Sequence, residues 1–136
     1  MLNHDAVLFA NEAFYQAFAN SDVAAMDEVW SRESPVTCVH PGWQALHSRE
    51  LIMSVWRRIF RDEPGTLIAC RAPEAFVVGD MAFVICYEQL ADAVMVATNI
   101  YRLEQRRWRL VHHQSSPSRS HPADIAALEQ TSQLAH

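Results

Sequence analysis

Two histidines and a serine close the last strand-like run of this chain, Trp108 to Ser115 (WRLVHHQS). Side chains alternate faces along a strand, so His113 and Ser115 are expected on one face and His112 on the other. A second apolar run, Pro35 to His40, also ends in a histidine and is broken at once by Pro41-Gly42. An imidazole titrates near pH ~6.5 and can take or give a proton at physiological pH. Two of them at strand ends predict the mouth of a pocket equipped for acid/base work. The reaction and the substrate stay open at this level.

To hold these groups, the chain must supply a sheet and something to cover one of its faces. Val7, Ala10, Phe14, Ala17 and Phe18 recur at helical spacing between about Asp5 and Asn20, which predicts an amphipathic first helix. Asn20-Ser21-Asp22 offers a break with a cap, and Val23, Met26, Val29 and Trp30 predict a short second helix. Pro35 to His40 reads as a strand. A third helix is expected from near Ser48, with a stripe of Leu51, Ile52, Val55, Trp56, Ile59 and Phe60, ending at Asp62-Glu63-Pro64-Gly65. From Leu67 to Val78 and from Met81 to Leu90 two strands flank the hairpin signal Gly79-Asp80. Pro73 cannot donate to a ladder, so its strand is expected to break there or to lie at an edge. Ala93 to Leu103 and Trp108 to Ser115 form a further hairpin. Three helices followed by an antiparallel meander give an α+β domain over residues 1–117. Residues 118–136 are a tail, at best a weak helix from about Pro122 to Leu134.

Composition narrows the functions available. At 136 residues the chain fits one compact domain. A hydrophobic fraction of 50% with four tryptophans predicts apolar surface facing a cavity or a second subunit. The net charge of −5 argues against a nucleic acid or an anionic membrane as partner. All 11 basic residues are arginine, which removes Schiff-base catalysis and the phosphate-binding P-loop. Three isolated glycines leave no dinucleotide-binding loop, and no cofactor is expected. Cys38, Cys70 and Cys86 lack metal or redox spacing and read as buried thiols. The N-terminal residues show no secretory pattern, and no run is long enough to span a bilayer, so a soluble, cytoplasmic protein is expected.

The order of these elements, the Asn-Ser-Asp break, the apolar-aromatic Val29-Trp30, the strand ending His40-Pro41-Gly42 and the final WRLVHHQSS together resemble the nuclear transport factor 2-like superfamily. Within it the SnoaL-like branch is most similar, beside the steroid delta-isomerases. The resemblance covers Asp5 to Pro117 and implies a curved sheet wrapped on three helices into a cone with a deep pocket. It also implies a homodimer through the outer sheet face. Carried over from the steroid isomerases, Phe14 falls where the oxyanion-hole tyrosine would be. Tyr15 is one position off and is expected to point elsewhere. His40 falls at the carboxylate base and Asn99 at the protonated acid. That reaction needs a carboxylate shuttle and two strong donors, so steroid isomerisation is not expected. The resemblance implies that His40, Ala97, Asn99, Tyr101, Val111, His113 and Ser115 look into the cone, and Thr98, Ile100, Leu110 and His112 look out.

These readings converge on a pocket for a small, apolar molecule, cyclic ones among the candidates, with isomerisation, cyclisation or dehydration as candidate reactions. His40 is the candidate base, with Asn99 and His113 as donors. Phe14, Phe18, Trp30, Trp43, Trp56, Ala97, Tyr101, Val111 and Ser115 are the candidate ligand contacts. Each has a plainer reading: His40 bonding a loop carbonyl, His113 as a satisfied core group, Trp30 and Trp56 as packing. Trp43 follows Pro-Gly in a loop, where core periodicity does not explain it, and is read as a pocket lid. A metal held by His40, His113 and His47 lacks any motif spacing, and none is assigned. The Arg57, Arg58, Arg61 and Arg106, Arg107, Arg109 clusters read as solvated faces or as salt bridges to the acidic surplus. The alternative to a ligand site is a non-catalytic dimeric assembly domain that uses the outer sheet face.

Overall fold

A computed structural model describes residues 3–135. Helix α1 (Asn3–Ala19) runs into α2 (Val23–Val29) through Ser21, whose φ of 52° turns the chain; the Asp22 carboxylate then caps α2 by accepting from the Ala25 N–H at 3.0 Å. Strand β1 (Thr37–Val39) is followed by α3 (Arg49–Asp62), capped by Ser48 accepting from the Leu51 N–H at 3.1 Å. Strands β2 (Ala69–Val78), β3 (Met81–Gln89), β4 (Val94–Glu104) and β5 (Arg107–Pro117) form the meander, and α4 (Pro122–Ala135) follows. No helix among the described residues is long and apolar enough to cross a membrane.

The sheet order is β1-β5-β4-β3-β2, with β1 parallel to β5 and the other pairs antiparallel. The expected α+β class, with helices on one face of a curved sheet, is what the chain adopts. Pro73 lies in edge strand β2 at a bulge between Arg71 and Glu74, where a missing donor costs no ladder bond.

A second bulge changes the expected facing of β5. Ile100 pairs with His112, but Tyr101 pairs with Leu110, so Val111 is an extra residue without a register partner. Leu110 therefore turns inward with Tyr101 and is fully buried, which corrects the outward position expected for it. Val111 has no register partner and is itself buried. In α3 the buried arc is centred on Ile52, Trp56 and Phe60 and takes in Met53, leaving Leu51 exposed, so the stripe is rotated from the one expected.

The core fills the concave side. Phe14 packs edge-on against Trp56 at 5.8 Å between ring centres, and Trp56 lies 5.6 Å from Phe60. Edge-to-face contacts of this kind add to area burial and lock α1 against α3. A cavity bordered by Phe18, His40 and His113 remains beside them.

Candidate functional site

A cavity of about 360 Å³ lies between the loop after β1, α3 and the ends of β3, β4 and β5. Phe18, Ile59, Ile68, Leu90 and Met95 give it apolar walls, and His40, Glu88, His113 and Ser115 supply polar groups. Arg58, Asp62, Glu63 and Thr66 also border it. Trp43 stands among them, with its ring 5.6 Å from His40 and the Arg58 guanidinium 5.3 Å over its face.

His40 is held where β1 ends. Its ring meets Trp56 edge-on at 5.0 Å, and the Cys38 thiol lies 3.6 Å from its Nε2. Burial lowers its pKa to about 4, because the charged imidazolium would lose its hydration. The His113 ring lies 6.4 Å from that of His40. Its pKa is lowered to about 3, first by burial and then by His40 and His112. Both histidines are neutral near pH 7.

A buried network fixes which nitrogen of His113 carries the proton. Asn11 Oδ1 accepts from the Tyr101 hydroxyl and from Asn99 Nδ2, both at 2.9 Å. Asn99 Nδ2 also donates to the Tyr15 hydroxyl at 3.1 Å, which leaves Asn99 Oδ1 as the acceptor 2.6 Å from His113 Nδ1. Nδ1 therefore holds the hydrogen, and Nε2 has a free lone pair. That Nε2 lies 3.9 Å from Glu88 Oε2. Glu88 is 3% exposed and accepts from the Tyr15 hydroxyl at 2.7 Å. Burial raises its pKa, and hydrogen bonds from Tyr15 and Ser115 oppose that only in part. A neutral histidine and a carboxyl biased toward its neutral form thus share one wall.

Of the residues singled out in the sequence, Phe18, His40, Trp43, His113 and Ser115 border the cavity. Phe14 and Trp56 stand behind the histidines, with the Phe14 ring 4.9 Å from His113. Asn99 reaches the cavity only through His113, since its own polar atoms are committed to Asn11, Tyr15 and His113. Trp30, Ala97 and Tyr101 are packed in the core, and Val111 is at the bulge. His47 is exposed, and among the described residues no group of three or more His, Cys, Asp or Glu is arranged to hold a metal ion.

Two groups escaped the sequence reading. Tyr15, expected to point elsewhere, is 5% exposed and reaches Glu88, because the sheet wraps α1 widely enough to cover Asn11 and Tyr15 as well as Phe14. Glu88 was signalled by phase alone. It sits two residues beyond Cys86 and four beyond Val84, both fully buried, on one face of β3.

A family model described as a SnoaL-like domain matches residues 7–120. Among solved structures, a dehydratase candidate of the NTF2-like family from Streptomyces avermitilis is 28% identical with a TM-score of 0.79, covering 87% of this chain and 97% of that one. A candidate calcium/calmodulin-dependent protein kinase type II association domain from Thiobacillus denitrificans is 30% identical with a TM-score of 0.71, covering 81% and 93%. The F-box protein SKIP8 of Arabidopsis thaliana is 24% identical over 113 residues, 82% of this chain and 49% of that protein. The chain thus spans about half the length of this curated relative.

Proposed function

This chain belongs to the SnoaL-like domain family, and from that premise we propose that its cone binds a small, largely apolar molecule and carries out acid/base chemistry on it. The observation that carries this reading is the open cavity with His40, His113 and Glu88 on its wall. Phe14, Trp30, Trp56 and Tyr101 are fully buried, yet they leave that space unfilled. Neutral imidazoles of lowered pKa are weak bases with little hydration to shed. They suit proton transfer next to a carbonyl or a hydroxyl, as in isomerisation, cyclisation or dehydration. The likeness to a dehydratase candidate at 28% identity supports the last of these.

Soaking a fragment library into crystals and recording ligand-induced melting shifts test the reading. Occupancy beside His40 is expected, with shifts that shrink in His40→Ala. An empty cavity together with unchanged shifts in that variant overturns it.

We also infer a homodimer through the outer sheet face, in a cytoplasmic setting. The likeness to an association domain at 30% identity supports assembly as a second role. So does the apolar row of Phe76, Phe83 and Ile100 on that face.

A further inference from the structure

We propose that Glu88 and His113 form a two-point subsite for a single hydroxyl group, so that the cavity selects neutral apolar alcohols, phenols or enols. The inference rests on the cavity being a small-molecule site, and it assigns to Glu88 a contact with the ligand.

The separation of Glu88 Oε2 and His113 Nε2 is 3.9 Å. That is too long for a direct hydrogen bond, and short enough for one oxygen to bond both at about 2.7–2.9 Å. His113 Nε2 can only accept there, because Nδ1 spends its hydrogen on Asn99. Glu88 is faced by Tyr15 from α1, Cys70 from β2, Cys86 on its own strand, Cys38 from β1, and His113 and Ser115 from β5. None of these is a cation at neutral pH. Burial with no cation beside it shifts the Glu88 carboxyl toward its protonated form, which is the form the subsite uses. The O–H of Glu88 then donates to the ligand oxygen, and the ligand hydroxyl donates to His113 Nε2. Each proton has one acceptor and no charge is buried. A ligand carboxylate placed between Glu88 and His113 would meet a lone pair and a carboxyl, since the Arg58 guanidinium that also borders the cavity lies over the Trp43 ring. An arylamine would bridge the pair well only if Glu88 were ionised, since it offers two donors. Phe18, Ile59, Leu90 and Met95 take the apolar body.

Titration calorimetry with 4-ethylphenol, ethylbenzene and 4-ethylaniline, and with 2-naphthol against naphthalene, tests the proposal. The wild type is expected to bind each phenol at least about tenfold tighter than its hydrocarbon, a factor ordinary for one well-made hydrogen-bonded group. Glu88→Gln keeps a neutral donor and is expected to keep the preference, whereas Glu88→Met and His113→Leu bring it below about threefold with hydrocarbon binding retained. Should His113→Leu fail to fold, histidine ¹⁵N spectra of the wild type decide. The His113 Nε2 signal is expected to be that of an unprotonated nitrogen and to move with 4-ethylphenol but not with ethylbenzene. Equal binding of phenol and hydrocarbon overturns the subsite and leaves the cavity reading standing. Tighter binding of the amine, or a preference surviving in Glu88→Met, also overturns the subsite. If no compound of either series binds, the cavity reading and the subsite fall together.

Discussion

The Tyr15 hydroxyl donates to Glu88 Oε2 at 2.7 Å and so ties α1 to β3 through a buried hydrogen bond. The Tyr15 hydroxyl oxygen also accepts from Asn99 Nδ2 at 3.1 Å. Tyr15→Phe therefore strands a carboxyl oxygen and an amide N–H at once. An unsatisfied buried polar group costs about 1–3 kcal/mol, and a stability loss of about that size is expected in urea unfolding. A bond that lowers the Glu88 pKa also disappears. Its carboxyl is then expected to titrate at higher pH, as read by ¹³C NMR of the side chain.

Acid should destabilise this protein well above the carboxyl range. The pKa values of His40 and His113 are lowered to about 4 and about 3, against about 6.5 in an unfolded chain. Between those values the unfolded chain binds more protons, so stability is full above pH ~6.5 and is lost as the pH falls toward the native values. The limiting slope is about 1.4 kcal/mol per pH unit for each histidine. Half-buried His112, also lowered, acts in the same direction. Glu88 acts oppositely. Its raised pKa makes the native state bind more protons from pH ~4.5 up to its native pKa, so acidification through that range favours folding and offsets at most one histidine's slope. Denaturant titrations between pH 7.5 and 5 should show a loss of stability that is clearly reduced in His40→Phe. A flat wild-type profile would falsify the burial of both histidines in neutral form.

Local chemistry made much of this fold readable. The Ser48 cap, the Gly79-Asp80 turn and the edge placement of the strand holding Pro73 each follow from one residue's backbone limits. His40 and His113 were legible because each sits at the end of a short, strongly apolar run. The bulge at Val111 was not, since nothing in Leu110-Val111-His112 marks an extra residue and the shift arises from pairing with β4. Glu88 was hidden for a different reason. A carboxylate is normally taken as the solvent face of a strand, and only its phase with Val84 and Cys86 says otherwise.

Helix α4 is held to the sheet at a small number of points. Arg71 Nε and Nη2 reach the two oxygens of Glu129 at 2.9 and 2.6 Å, and Arg71 also bonds Gln89. Ile125 is fully buried beneath the helix. Both partners of the ion pair remain partly exposed, so it contributes at most about 1 kcal/mol and is weakened by salt. Glu129→Ala is expected to speed amide hydrogen exchange across residues 122–131 while global stability moves by no more than that. Equal protection of α4 in both proteins would show that the Arg71–Glu129 ion pair does not hold it.

Across the outer face, Phe76, Phe83, Ile100 and His112 pair in one continuous row over four strands. Phe76 and Phe83 stack at 4.8 Å, and His112 Nδ1 lies 2.6 Å from the Thr37 hydroxyl at the end of the row. A two-fold dimer would lay this row against its copy and cover the apolar surface that a monomer exposes. Ile100→Arg places a charge at its centre and is expected to give monomers by light scattering at micromolar concentration, with the melting of the isolated domain little changed. A wild type that is already monomeric under those conditions removes the dimer. Protonating His112 introduces a charge next to the same row, so association is expected to weaken as the pH falls below ~6. An affinity indifferent to that change removes the role of His112 and leaves the interface in place.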